Sequence, residues 1–249
     1  MKFLSHLIYT LSKLWMFGVF LTSLLFFGPV FYLLIKLKKF KTTLKAEKLW
    51  GKITLPLMGL FVEVIDEHNF PEPPYIICPN HGSYLDILTM FNTIPHYFIF
   101  MGKAELKNWF LIRQFFISGM NIMVDRNSKM GSARAFIQAR KAIRRNESIV
   151  IFPEATIPNT VPLMKDFKDG AFVMAIKEQI PIVPITILDN YNRLRTGAFF
   201  KERGSFGKSR SIIHPAINTK GLSENDLVNL HQQVFDTIQQ PFLNLNNEN

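Results

Sequence analysis

Acidic residues are scarce in this chain. Its 249 residues carry 19 Asp and Glu against 29 Lys and Arg, a formal charge of +10 and a pI of about 9.7. That balance argues against a basic partner and for an anionic one: a phosphate-bearing substrate, an anionic lipid surface or nucleic acid. Cysteine is nearly absent. Cys78 stands alone, which excludes an internal disulfide and fits a reducing compartment. No zinc-ligand spacing, glycine-rich phosphate loop or internal repeat is present, which removes zinc modules, P-loop and dinucleotide folds, and solenoids. The G-x-S-x-G elbow of serine hydrolases is missing too, and no nucleic-acid-binding motif occurs.

Charge is also missing from Leu14 to Ile35, 22 residues reading LWMFGVFLTSLLFFGPVFYLLI. About 20 apolar residues cross a hydrocarbon core. A cleaved signal peptide fits badly, because the run is too long and no small-x-small site follows. Seven lysines come next (36, 38, 39, 41, 45, 48 and 52) against the single acid Glu47. The positive-inside rule keeps such a cluster on the cytoplasmic side, where anionic headgroups attract it. Gly28-Pro29 interrupts the apolar run. A proline there kinks or breaks a helix, so the segment reads either as one kinked spanning helix or as a hairpin entering one leaflet. Residues 1–50 are thus expected to form a membrane anchor with a basic juxtamembrane stretch, and 51–249 a second domain. With an apolar anchor beside the basic cluster, lipid rather than nucleic acid is the expected anion.

Beyond residue 50 the pattern changes to short β-branched runs alternating with amphipathic ones. It predicts strands at 59–65, 75–78, 97–100, 121–124, 148–152, 181–187 and 211–217. Helices are expected near 84–92, 104–118, 130–145, 168–178 and 224–240, the last opened by a capping box from Ser223 to Asp226. Several strand runs are apolar throughout, as in a sheet buried on both faces. The predicted class is α/β: a mostly parallel central sheet flanked by helices, with a membrane-embedded N-terminal helical segment. The 130–145 helix carries Arg134, Lys141, Arg144 and Arg145; this face is either simply solvated or meets an anionic surface.

One stretch, IICPNHGSYLDILTMF at 76–91, is open to chemistry. Two residues five apart do not share a helix face, so His81 and Asp86 meet only if the histidine sits in the turn before a helix. CPNHGS is turn-forming and Ser83 suits an N-cap. In that geometry the aspartate holds one imidazole nitrogen and frees the other as a base. The same residues support a second reading, in which Ser83 and Asp86 form a capping box and His81 is a turn residue.

Two distant stretches bear on this choice. Asp125-Arg126 and Phe152-Pro153-Glu154-Ala155-Thr156 each follow a predicted strand, and α/β sheets bind ligands at strand C-termini. The order Asn80-His81…Asp86, Val124-Asp125-Arg126, Phe152–Thr156, then Val183-Pro184 resembles the glycerophospholipid acyltransferases, specifically the 1-acylglycerol-3-phosphate acyltransferases. Further agreements are GKAEL with Lys103, and FKDGAF with Lys168 and Gly170. The resemblance spans roughly residues 70 to 190. It implies acyl transfer from acyl-CoA or acyl carrier protein to a lysophospholipid hydroxyl, with His81 as general base and Asp86 as its orienter. It further implies that Arg126 and Lys103 bind the acceptor phosphate, that Glu154 and Thr156 shape the acceptor site, and that neither metal nor bound cofactor is needed. An active domain at the cytoplasmic face of a membrane follows from the same likeness.

The third block departs from the family pattern. After the glutamate the family reads glycine, threonine, arginine; this chain reads Ala155, Thr156, Ile157. Alanine adds a methyl where the family's glycine leaves the backbone free to take positive φ, and the isoleucine supplies no phosphate contact. The acceptor is accordingly lysophosphatidic acid or another lysolipid.

Overall fold

A seven-stranded sheet organises the chain, in the order β1-β7-β6-β2-β5-β3-β4. The computed structural model describes residues 2–67, 70–110, 112–125, 128–197 and 202–247. The strands are β1 (Leu60–Glu67), β2 (Ile76–Pro79), β3 (Phe98–Lys103), β4 (Ile122–Val124), β5 (Ser148–Ile151), β6 (Ile182–Ile187) and β7 (Gly207–Ile213). β6, β2, β5, β3 and β4 run parallel, β7 lies antiparallel to β6, and β1 pairs parallel with β7. All seven expected strands form, so the mixed, mostly parallel α/β class holds. β7 alone begins earlier than its apolar run suggests. Its first turns read Gly-Lys-Ser-Arg, and the face that is buried there carries serines, Ser209 and Ser211, rather than hydrocarbon.

Alternate residues of the central strands feed two cores. Ile77 and Val150 join Leu88, Phe91, Phe98 and Trp50 on one side. Ile76 and Ile149 join Ala139, Phe172 and Val234 on the other. The second layer consists of α5 (Lys129–Arg144), α6 (Gly170–Glu178) and α8 (Leu227–Asn247); α8 follows a short 3₁₀ turn opened by the Ser223–Asp226 capping box. The first contains α3 (Leu85–Thr93) and, outside it, two helices at the N-terminus.

Those two helices differ from the expected anchor. α1 (Lys2–Lys36) runs unbroken through Pro29, and the chain reverses at residues 37–39 instead of at Gly28-Pro29. The reversal is a Schellman motif: Lys39 N–H donates to Leu34 and Lys38 N–H to Ile35, with Lys38 at φ +54°. The lysine run then enters a helix, α2 (Phe40–Leu57). Lys41, Lys45, Lys48 and Lys52 fall four, three and four apart, one stripe flanked by the buried Leu44, Gly51 and Leu55, with Trp50 across the helix. Trp50 packs among Phe20, Phe31 and Phe91 and donates from Nε1 to Ser23 Oγ at 2.9 Å. Lys48 reaches the carbonyls of Ile94, Pro95 and His96 and so complements the C-terminus of α3. α2 therefore crosses residue 50 and is packed into the α/β body. Burial lifts the Glu47 carboxyl on the same helix to about 8. α1 is long and apolar enough to cross a membrane, with a mean hydropathy of 2.1. Its outer face exposes Leu25 and Phe26, 75% and 73% accessible.

The helix expected over 104–118 is divided. A 3₁₀ turn (Ala104–Asn108) and α4 (Arg113–Ile117) take its place. Leu106 and Phe116 both close on Gly102, where an added Cβ would stand 2.9 Å from each. In one straight helix those two residues would sit about 15 Å apart along the axis, so the chain must fold back between them. One short helix, α7 (Asn190–Arg193), was not expected and follows β6 directly.

Candidate active site

Register brings the sequence motifs to one edge. Ile77 pairs with Val150, and Pro79 with Ile185. Met101 lies level with Ile151 and Lys103 with Val124. The segments after β2, β5, β3 and β4 therefore leave the sheet side by side at its C-terminal edge. Asn80 extends the β2–β6 ladder past the strand end, accepting from Ile187 N–H at 2.7 Å and donating to Ile187 O at 3.1 Å. This bidentate grip fixes where the next residue, His81, leaves the sheet.

His81 lies in the turn before α3, and Asp86 in that helix's first turn. Their contact is direct: Nδ1 to Asp86 Oδ2 is 2.9 Å. The same oxygen accepts the N–H groups of Gly82 and Ser83, each at 2.8 Å. Asp86 is completely buried. The His81–Asp86 contact forms, and of the capping box only the acid's half does, since Asp86 N–H donates to Ser83 O and not to Ser83 Oγ. Asp86 reaches back to the Ser83 N–H, as the acid of a capping box does, and the turn so formed delivers the imidazole to the same carboxylate. Gly82 leaves little room for a side chain, since a Cβ there would stand 3.2 Å from Tyr191 Cβ of α7 and push that residue back by a few tenths of an ångström. Ser83 caps the helix start by accepting from Leu85 N–H while donating to Leu194 O at 2.8 Å. The imidazole stacks on Phe152, centroids 4.2 Å apart. With Nδ1–H committed to Asp86, the lone pair lies on Nε2, which makes no hydrogen bond among the described residues. A narrow crevice opens at this histidine, walled by Leu163, Met164, Tyr191 and Phe242.

Glu154 stands behind the histidine, almost fully buried. Oε1 accepts the His81 N–H at 2.7 Å and Oε2 the Lys165 N–H at 2.9 Å, so it ties the histidine turn to the loop after β5. Burial raises its carboxyl to about 7, against the opposing pull of those backbone donors and of His81. The turn that presents it is closed by Ala155 N–H to Phe152 O, with Ala155 at φ +68°. A non-glycine residue there costs roughly 1–2 kcal/mol. The alanine that replaces the family's glycine sits in a glycine conformation. Thr156 follows in the same turn, partly buried.

Of the two expected phosphate ligands, Lys103 lies further along the edge. Lys103, partly buried, ends β3, two strands from β2 and so about 10 Å away in the sheet. Arg126 lies outside the described residues. Its neighbour Asp125 packs against Gly131 at the start of α5, where a Cβ would come 2.6 Å from Asp125 Cβ. Of the six expected site residues, the structure joins His81, Asp86 and Glu154 in one hydrogen-bonded group, places Thr156 beside Glu154, and sets Lys103 on the neighbouring strand end.

Sequence reasoning missed Asn190. Its Nδ2 donates to Asp86 Oδ1 at 2.9 Å from 104 residues away. The one available signal was its place at the C-terminal end of the β6 run. Phe152, read only as part of a motif, also proves to be the face on which His81 rests.

Glu154 titrates in the native state well above its ordinary value, so folded protein holds a proton between about 4.5 and 7 that unfolded chain releases. Stability therefore falls as pH rises through that window. Denaturant unfolding at several pH values should show the decline in the parent chain and a flatter dependence in Glu154→Gln. Equal slopes in both would count against a buried, proton-holding Glu154.

Comparisons with known proteins give the family and the fold. A family model described as Acyltransferase matches residues 61–188, a span that holds His81, Asp86, Lys103, Arg126, Glu154 and Thr156. A Borreliella burgdorferi protein named 1-acyl-sn-glycerol-3-phosphate acyltransferase is 32% identical over 191 residues, covering 75% of this chain and 74% of that one. The Ovis aries protein named 1-acyl-sn-glycerol-3-phosphate acyltransferase alpha is 30% identical over 189 residues, covering 72% of this chain and 61% of its own length. This chain thus spans about three fifths of the mammalian relatives it matches. In fold it is similar to the crystal structure of the 1-acyl-sn-glycerophosphate (LPA) acyltransferase PlsC from Thermotoga maritima. The TM-score is 0.74 over 99% of this chain and 98% of that one, at 21% identity. On the family match and the Borreliella relative, this chain belongs to the Acyltransferase family.

Proposed function

We propose that this chain moves a fatty acyl group from a thioester, acyl-CoA or acyl carrier protein, to the free hydroxyl of 1-acylglycerol-3-phosphate, giving phosphatidic acid. The observation that carries the reading is the Asp86–His81 pair, its buried carboxylate on Nδ1 and its Nε2 unoccupied at the crevice. Relatives that bear the activity in their names support it.

In this mechanism Nε2 takes the proton from the acceptor hydroxyl as its oxygen attacks the thioester carbonyl. The C–O bond forms, the tetrahedral intermediate collapses with loss of the C–S bond, and the departing thiolate recovers the proton from the imidazolium. Asp86 stabilises that imidazolium and holds its ring. No covalent acyl-enzyme is formed, and acid–base chemistry alone completes the cycle, so the proposal includes no metal and no bound cofactor. Lys103 and Arg126 hold the acceptor phosphate, an ammonium point charge beside a guanidinium fork. Glu154 holds the histidine turn, and Thr156 completes the wall beside it. A second reading keeps the chemistry and changes the acceptor to another lysolipid. Ile157 favours it, because it supplies no charge where the family places an arginine.

Residues 1–50 attach the catalytic body to a bilayer through the exposed apolar face of α1, and the lysines of 36–52 set the cytoplasmic side. The partners are then lipid bilayer, thioester donor and lysolipid acceptor, with no nucleic acid.

Purified protein supplied with either thioester and a panel of lysolipids, with products followed by mass spectrometry, tests both readings. His81→Ala should lower kcat by about 10²–10⁴ or more while the fold is kept, and Lys103→Ala should chiefly raise the acceptor KM. Full turnover in the histidine variant would remove the general base. For the anchor, the Leu25→Asp, Phe26→Asp double variant should cease to float with phosphatidylglycerol vesicles. Undiminished flotation would contradict membrane attachment through α1.

A further inference from the structure

We infer that Asn190 is a positioning residue for the His81–Asp86 pair, acting through the Asp86 oxygen that the histidine does not use. The inference rests on the acid–base reading given above and adds a third member to it from the end of the neighbouring strand β6.

The geometry fixes which way the Asn190 amide points. Thr89 Oγ1 spends its hydrogen on Leu85 O at 3.0 Å, so towards Asn190, 2.9 Å away, it accepts. That contact requires the amide nitrogen. The same Nδ2 donates its second hydrogen to Asp86 Oδ1 at 2.9 Å. On the other side Ser209 Oγ of β7 donates to Asn190 Oδ1 at 2.6 Å. Asp86, Thr89, Asn190 and Ser209 are all at most 1% exposed, so water does not replace any partner. Every donor and acceptor of the amide therefore has one assignment, and reversing it would set two acceptors against each other at Asp86. With Oδ2 filled by Gly82, Ser83 and His81 and Oδ1 by Asn190, the carboxylate has one orientation. The imidazole inherits it.

The other ionisable groups nearby are accounted for. Glu154 meets the histidine only at its backbone N–H, and Asp189, next to Asn190, is paired with Arg210 at 2.7 Å. Asn190 is thus the neutral donor that tempers the carboxylate's pull on the histidine. Removing it leaves Asp86 with more of its negative charge directed at the ring, which favours the imidazolium.

The test is Asn190→Ala, with Asn190→Asp as a second, isosteric variant. Asn190→Ala should lower kcat by about 10- to 100-fold, the size expected of a small misplacement, with the acceptor KM within about twofold of the parent. Its His81 ring, followed by NMR titration, should protonate at higher pH than in the parent chain. In Asn190→Asp two carboxylates must share the buried site, and activity should fall further as pH rises. Parent-like kcat and an unmoved His81 titration in folded Asn190→Ala would overturn the inference, as would a loss confined to thermal stability. The NMR titration needs no substrate: a shifted ring in protein lacking acyl transfer would uphold the positioning role and count against the proposed reaction instead.

Discussion

A carboxylate placed out of reach of water costs several kcal/mol unless its oxygens find donors, and Asp86 is completely buried. The turn from Asn80 to Tyr84 is the chain's answer to that constraint. Two backbone N–H groups and one imidazole converge on Oδ2, and an asparagine amide meets Oδ1. Once those four contacts are demanded, much of the edge follows. Gly82 lets the turn close under Tyr191 without displacing it. α3 must begin where Asp86 reaches back over its first turn, and β7 must bring Ser209 to hold the asparagine.

The sheet supplies the other half of the arrangement. Parallel strands with matched register end together, so residues far apart in sequence leave the sheet as neighbours. Glu154 converts that proximity into connection. It accepts one N–H from the histidine turn and one from the loop at Lys165, which couples the base to a wall of the crevice. A carboxyl raised to about 7 by burial makes that coupling sensitive to pH near neutrality. On the face that carries α3, α1 and α2 pack outside that helix through Trp50 and its aromatic neighbours. An apolar outer surface is therefore held in fixed relation to the catalytic edge.

Much of this was legible in the sequence, and the reasons are specific. β-branched runs marked the strands because both faces of the sheet are buried, and the five-residue spacing of His81 and Asp86 already required a turn followed by a helix. Ala155 stood out as a methyl in a glycine position, and its φ of +68° bears out that concern. What escaped notice depended on tertiary contacts. The lysine run hid α2, because its stripe of charges masks the apolar face beside it. The 104–118 segment has helical composition, yet Gly102 draws Leu106 and Phe116 to one point. Asn190 carries no periodic or motif signal at all; only the folded sheet brings it to Asp86.

Asp86 holds His81 as the tautomer with its proton on Nδ1 and its lone pair on Nε2. Nitrogen-15 NMR of histidine-labelled protein, with the His81 signals assigned by substitution, measures this directly. Above the ring's titration the account predicts a protonated Nδ1 protected from exchange and a pyridine-like Nε2. A proton found on Nε2, or an even mixture of tautomers, would contradict it.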